Sequence, residues 1–370
     1  MKMKIVVYGV KTFPSRGGTD RVAENLIVQL KDQFDITLYC YKDPQAQTHM
    51  NGIKVVEFTP WLKGALGVFI YFFISALHLL FEKDVHLVHA HKTDCAFFIP
   101  LLRLRFKVIA TSHEAPYTRD KWNRFAKLYF QIAERIFIKT STIATCISEP
   151  LTQFYEKKYH RKVHFIPNGI NMDDPASYDL QAALRFIPSS ASIHERYILF
   201  SARRLMSTKG CHTLLEALRK INYQGQVFIA GELDENDPYQ KQLQKLAEGL
   251  RVYFLGFVNP LPALLALVAK AELFVFPSEI EGMSIMLLEV ASVGKPIIAS
   301  NIPENLQVFN ATEVLYFASK NVNDLGEKIL FALANPEKME NLGATCQKRV
   351  YTDYLWKNIA LLYQQLYLSL

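Results

Sequence analysis

Glu281 and Glu289, eight residues apart in FPSEIEGMSIMLLEVASVGKPIIAS (276–300), are the side chains of this sequence best spaced to do chemistry together. The apolar run LFVF (273–276) ahead of them reads as a buried parallel strand. Leu287, Leu288, Val290 and Ala291 suit a helix closed by Gly294 and Pro296. Glu281 then falls in the strand-to-helix loop, and Glu289 sits roughly 12 Å further along the helix axis at 1.5 Å per residue. The backbone N–H groups of Gly282, Met283 and Ser284 stand at the helix start, where an anion is favoured. One carboxylate beside an anion site and a second a nucleoside's length away suit a nucleotide sugar.

Cations for such an anion lie in SARRLMSTKG (201–210), where Arg204 and Lys209 follow an expected strand directly. Two fixed positive charges there would hold a diphosphate and stabilise charge growing on it as it leaves. Standing alone, the loop would read as an ordinary solvated basic turn; its pairing with the 276–300 segment favours the binding reading.

These loops need a scaffold, and the chain spells one out twice. Strands are expected at 4–8, 36–41, 53–58, 85–89, 107–111 and 142–147, then again at 196–202, 226–230, 252–255, 273–276 and 296–299. Helical patterns between them argue for parallel βαβ units. The expected fold class is α/β: two Rossmann-like doubly wound domains facing each other across a cleft. The first spans 1–175 and the second 190–353, with a weakly patterned connection at 168–195. An amphipathic helix over 354–370 closes the chain. In such sheets ligands bind beyond the carboxyl ends of the strands.

Of 370 residues, 50% are hydrophobic and 21% charged, which is a globular composition. The net charge of +7 fits an anionic ligand or membrane surface. It is too small to imply nucleic acid, and no nucleic-acid motif appears. Five scattered cysteines without metal spacing read as reduced thiols of a cytoplasmic protein. The apolar run in MKMKIVVYGV is too short for a signal peptide and reads as a first strand.

RLMSTKG, SEIEGMSIMLLE and GKPIIASNIPE together resemble the retaining GT-B glycosyltransferases of family 4. The resemblance extends to FPSRGGTDRVAENL, VHAHKTD, TSHEAPYTRDKWNRFAKLYF and FIPNGI, and so covers nearly the whole chain. TRDKWNRFAK and the apolar helix before it look closest to bacterial rhamnosyltransferases of surface-polysaccharide synthesis. The resemblance implies a role for each residue. Glu289 would bind the ribose hydroxyls, and Arg204 and Lys209 the diphosphate. Glu281, with the backbone of Gly282, Met283 and Ser284, would contact the donor sugar and distal phosphate. Gly17 and Gly18 would close over the phosphates, and His113 would sit near the donor sugar. Arg203 stands where that family usually has a glycine, and Glu232–Leu233 where an Asp-Gly pair is common. The terminal helix is expected to cross back onto the first domain. Transfer would retain the anomeric configuration, moving a hexose or deoxyhexose to a saccharide or lipid-linked saccharide. A nucleotide-sugar epimerase or hydrolase, and a non-catalytic nucleotide-sugar-binding partner, are the alternatives.

No metal or other cofactor is expected, since the two cations already neutralise a diphosphate. His89, His91 and His113 could be imagined as ligands, but no carboxylate or cysteine at ligand spacing joins them. GALGVFIYFFISALHLLF (64–81) is uncharged over 18 residues. It falls between two expected strands of one sheet, so a buried or interfacial helix is expected rather than a span. Its functional form would be peripheral docking on an anionic membrane, at the inner face of the cell membrane. Lys63, Arg103, Arg105, Arg119, Lys121, Arg124 and Lys127 would supply the charge; the alternative is a core-facing helix with ordinary solvated charges.

Overall fold

The computed structural model describes residues 2–15, 18–42, 52–59, 62, 64–118, 123–172, 175–232, 234 and 236–370. The chain divides into two compact units: residues 1–169 with 356–370, and residues 170–355.

The first unit is built on seven strands: β1 (Lys4–Tyr8), β2 (Asp35–Tyr41), β3 (Ile53–Phe58), β4 (Leu87–His91), β5 (Lys107–Ser112), β6 (Ile143–Cys146) and β7 (His164–Phe165). They pair in parallel in the order β3-β2-β1-β4-β5-β6-β7. Strands buried on both faces must be apolar throughout, and β1 and β4 are buried almost end to end. The helix Gly18–Leu30 buries Val22, Ala23, Leu26, Ile27 and Leu30, a repeat of three and four that turns one stripe inward. Burying each of the Val, Leu and Ile side chains among them contributes about 1.5–3 kcal/mol. Trp356–Leu368, from the chain's end, packs on that helix and lays Tyr363 and Tyr367 against the sheet.

The second unit has six strands: β8 (Tyr197–Arg204), β9 (Gln226–Glu232), β10 (Arg251–Gly256), β11 (Leu273–Phe276), β12 (Ile297–Ser300) and β13 (Leu315–Phe317). They are all parallel, in the order β10-β9-β8-β11-β12-β13. Both sheets therefore contain the 3-2-1-4-5-6 order of a doubly wound fold. The order reverses between β1 and β4 in one unit and between β8 and β11 in the other. At those points neighbouring loops leave in opposite directions and open a ligand-sized space.

Strand positions agree with the sequence reading to within about two residues, with β4 starting and ending two residues later than expected. The two shortest strands, β7 and β13, were not anticipated. The stretch expected to be a connection contributes the helix Leu180–Leu184, which packs on the helix Leu261–Lys270 of the second unit. All five cysteines are buried and free.

Candidate active site

At the switch point of the second unit, the loops after β8 and β11 are locked together. Glu279 N–H donates to the Thr208 carbonyl at 2.8 Å. Gly210 has a φ of +69°, and a Cβ there would fall 2.0 Å from the Pro277 carbonyl oxygen. Only glycine permits both the left-handed conformation and that approach. The base of the second loop is fixed from below: Ser300 Oγ donates to the Ser278 carbonyl, and Asn305 Nδ2 donates to the Ser300 carbonyl at 3.0 Å.

This framework brings Lys209 Nζ to 2.7 Å from Glu281 Oε1, although 72 residues separate them. Glu281 is 9% exposed at its side chain, so the pair is largely screened from water. Ser284 caps the next helix, Ile285–Ser292, its Oγ accepting from Leu287 N–H at 3.3 Å. Gly282 and Met283 lead into that cap, with Met283 buried. Glu289 lies on the same helix and is 2% exposed. The first turn of this helix carries no acidic side chain to occupy its positive end.

Arg204 stands apart from this pair. Its Nε donates to Glu232 Oε2 at 2.9 Å, at the end of β9, and its side chain is 67% exposed. Arg203 Nε lies 3.8 Å from the other oxygen of Glu232, with its guanidinium over the Phe257 ring. Glu232, where the resembled family commonly has Asp, thus holds both arginines.

Two features of the second unit escaped the sequence reading. Glu304, in the short helix after β12, has its carboxyl raised above the usual range, first by burial and then by the neighbouring Glu281 charge. Glu279 is flanked by His212 Nε2 at 3.4 Å and Lys320 Nζ at 3.1 Å. Isolated acids in apolar or polar loops carry no periodic signal, so nothing in the sequence distinguished these two from solvated side chains.

At the switch point of the first unit the same device recurs. Gly9, just past β1, has a φ of +91°, and a Cβ there would meet the His91 carbonyl oxygen at 2.0 Å. The buried Asp20 carboxylate accepts from the backbone of Lys11 and Thr12, both at 3.3 Å, and pairs with Lys92 Nζ. It ties the loop after β1 to the loop after β4. Gly18 opens the helix beyond, with nothing within 4 Å of its Cβ position; Gly17 lies outside the described residues.

His113 follows β5 and is buried, its Nε2 3.2 Å from His91 Nδ1. His89 lies against His91 with ring centroids 4.1 Å apart and the rings tilted by 37°. Its Nδ1 is hydrogen-bonded to the Tyr367 hydroxyl and its Nε2 to Thr111 Oγ1, both at 2.7 Å. Burial drives all three histidines toward the neutral form, and His113 falls to about 3, helped by the Lys92 charge. Neutral imidazoles donate from one nitrogen and accept at the other, so the His91–His113 contact fixes complementary tautomers. Among the described residues, no three His, Cys, Asp or Glu side chains gather as a metal site.

Two family models divide the chain: "Glycosyltransferase Family 4" over residues 16–174 and "Glycosyl transferases group 1" over residues 184–349. The chain is a glycosyltransferase. An uncharacterized glycosyltransferase of Methanocaldococcus jannaschii is 28% identical over 206 residues, 54% of this chain; the chain spans about half of that relative, 52%. The UDP-Gal:alpha-D-GlcNAc-diphosphoundecaprenol alpha-1,3-galactosyltransferase of Escherichia coli is 24% identical over 82% of this chain and 81% of its own. Among solved structures, sucrose-phosphate synthase from Thermosynechococcus elongatus superposes with a TM-score of 0.83 at 21% identity, over 100% of this chain and 99% of that one. The fold of this glycosyltransferase is the GT-B class of two Rossmann-like units.

Proposed function

We propose that this glycosyltransferase moves a hexose or deoxyhexose from a nucleotide-diphosphate sugar to a saccharide or lipid-linked saccharide, with retention, in bacterial surface-polysaccharide synthesis. The observation that carries the donor half is the Lys209–Glu281 pair at the switch point of the second sheet, beside an uncapped-by-charge helix start and the buried Glu289. Lys209 and the N–H groups of Gly282–Ser284 hold the diphosphate, and Glu289 takes the ribose hydroxyls. Glu281 orients the Lys209 ammonium and meets the donor sugar. Arg204 releases Glu232 and turns to the phosphates when the donor arrives. In the first unit, Gly17, Gly18 and His113 are the residues that the family resemblance assigns to donor contacts.

In the reaction the bond from the sugar's anomeric carbon to the diphosphate oxygen breaks, and a bond to the acceptor hydroxyl oxygen forms. The acceptor proton passes to the departing diphosphate, whose new charge Lys209 stabilises. On this reading protein cations do the work of a metal, and no cofactor is needed. The E. coli relative, whose name gives it a UDP-sugar donor and a diphosphoundecaprenol-linked acceptor, supports the lipid-linked form of the acceptor.

The test is transfer itself. The purified chain is incubated with a panel of UDP-, GDP- and dTDP-sugars and a lipid-linked saccharide. Mass spectrometry should show an acceptor heavier by one sugar residue, and NMR a new linkage of the donor's own anomeric configuration. Donor consumed only to free sugar, or an inverted linkage, would overturn the proposal.

A further inference from the structure

We propose that one face of the first unit, formed by the helices Gly64–Phe81 and Arg124–Thr140, rests on an anionic phospholipid bilayer. It deepens the lipid-linked acceptor reading above and rests on it for its purpose, while its observations are independent.

The helix Gly64–Phe81 belongs to the fold on one side only. Tyr71 hydroxyl donates to the carbonyls of Val10 and Tyr39, and Tyr8 hydroxyl donates to the Phe72 carbonyl. These bonds hold the helix on the sheet and are incompatible with its leaving as a span. The other side is turned to solvent, yet it is apolar apart from His78, whose Nδ1 is hydrogen-bonded to the Tyr39 hydroxyl: Leu66, Phe69, Phe73, Leu77 and Phe81 recur every three or four residues. A solvated face of a helix ordinarily carries charge, and this helix contains no Asp, Glu, Lys or Arg.

The helix Arg124–Thr140 continues the same surface. Phe97 bridges the two, its ring 6.4 Å from Phe69 and 5.0 Å from Tyr129. Its own exposed stripe is Phe125, Leu128, Ile132, Arg135 and Lys139, apolar in its first half and basic in its second. Phe125 is 85% exposed. The one acid of this helix, Glu134, is fully buried beneath Tyr159 and Lys158, so this helix exposes no negative charge of its own. Leu104, exposed between Arg103 and Arg105, extends the surface beside the end of the first helix, where Arg105 bonds the Leu80 carbonyl. Of the cations expected at this face, Lys63, Arg119 and Lys121 lie outside the described residues.

Contiguous aromatic and aliphatic side chains edged by Arg103, Arg105, Arg135 and Lys139 match the two layers of an anionic leaflet, acyl chains beneath and headgroups above. The acids beside Phe81 are Glu82, paired with Lys4 at 3.1 Å, and Asp84. A soluble protein partner would be expected to present acids, and a second copy would set these cations against one another. Both helices start at the carboxyl edge of the sheet, the edge at which His113 leaves β5. The docked face would therefore bring a membrane-embedded acceptor to the same edge.

Vesicle flotation of the full chain tests this, with phosphatidylcholine vesicles, with vesicles containing phosphatidylglycerol, and at low and high salt. Wild type should float with the anionic vesicles at low salt and several-fold less at high salt. Leu66→Ser/Phe81→Ser/Phe125→Ser/Leu128→Ser alters only strongly exposed positions and should lose flotation at least about tenfold. Arg135→Glu/Lys139→Glu should lose the preference for anionic lipid. Failure of wild type to float, or equal flotation of the quadruple variant, would overturn the proposal. So would a concentration-dependent dimer, seen by light scattering, that the quadruple variant abolishes while vesicles go unbound. Thermal shift by nucleotide sugars, read in the same variants, should be unchanged, which separates this surface from the donor site.

Discussion

The Lys209 ammonium and the Glu281 carboxylate meet at 2.7 Å across the switch point of the second sheet, one from the loop after β8 and the other from the loop after β11. Each holds the other where water is scarce, and Glu304 adds a second carboxyl, raised first by its own burial and then by the Glu281 charge. Removing the cation therefore leaves the largely buried Glu281 carboxylate without its ion-pair partner. Lys209→Met should cost about 1–3 kcal/mol of stability in urea unfolding, and Lys209→Met/Glu281→Gln should recover part of it. Additive losses in that cycle would show that the two groups do not interact.

The closeness of those loops depends on Gly210. Gly210→Ala combines a left-handed backbone, about 1–2 kcal/mol, with a collision against Pro277 that costs a further 1–3 kcal/mol or so. Gly249 supplies the control: its φ is +82° but nothing lies within 4 Å of its Cβ position. Gly249→Ala should cost only the backbone contribution. Equal thermal destabilisation of the two variants would remove the argument for a close approach.

Stability should also depend on pH through the buried histidines. His113 titrates at about 3 when folded and near 6.5 when unfolded. Between those values the unfolded chain binds the extra proton, so stability falls as pH drops through that window and is fully present above about 6.5. Each such histidine contributes a slope of up to about 1.4 kcal/mol per pH unit. Urea unfolding at pH 7.5 and pH 5 should show wild type losing stability on acidification, and His113→Asn losing less. Identical losses would mean His113 is protonated in the folded protein.

The framework was readable in the sequence because parallel strands are continuous apolar runs, and eleven of them stand between turn residues. β7 and β13 were not, since two or three residues carry no pattern. β4 runs on to His91 because the histidines that look polar in the sequence are buried, and the partner of His89 is Tyr367, 278 residues away. The same logic governs the site. Lys209 and Glu281 could be paired from their places after two expected strands. The attachment of Arg204 to Glu232, the Asp20–Lys92 tie and the charges around Glu279 arise from three-dimensional neighbours that no spacing encodes.

The central claim is that the second unit binds a nucleotide-diphosphate sugar with Glu289 at the ribose and Lys209 at the diphosphate. Titration calorimetry of UDP-, GDP- and dTDP-sugars, and of the matching nucleoside diphosphates, tests it most directly. At least one donor should bind wild type saturably. Glu289→Ala should weaken donor and nucleoside diphosphate alike by about tenfold or more, about 1.4 kcal/mol. Lys209→Met should weaken diphosphates more than the nucleoside monophosphate. No binding by any donor, or unchanged affinity in Glu289→Ala, would contradict the account.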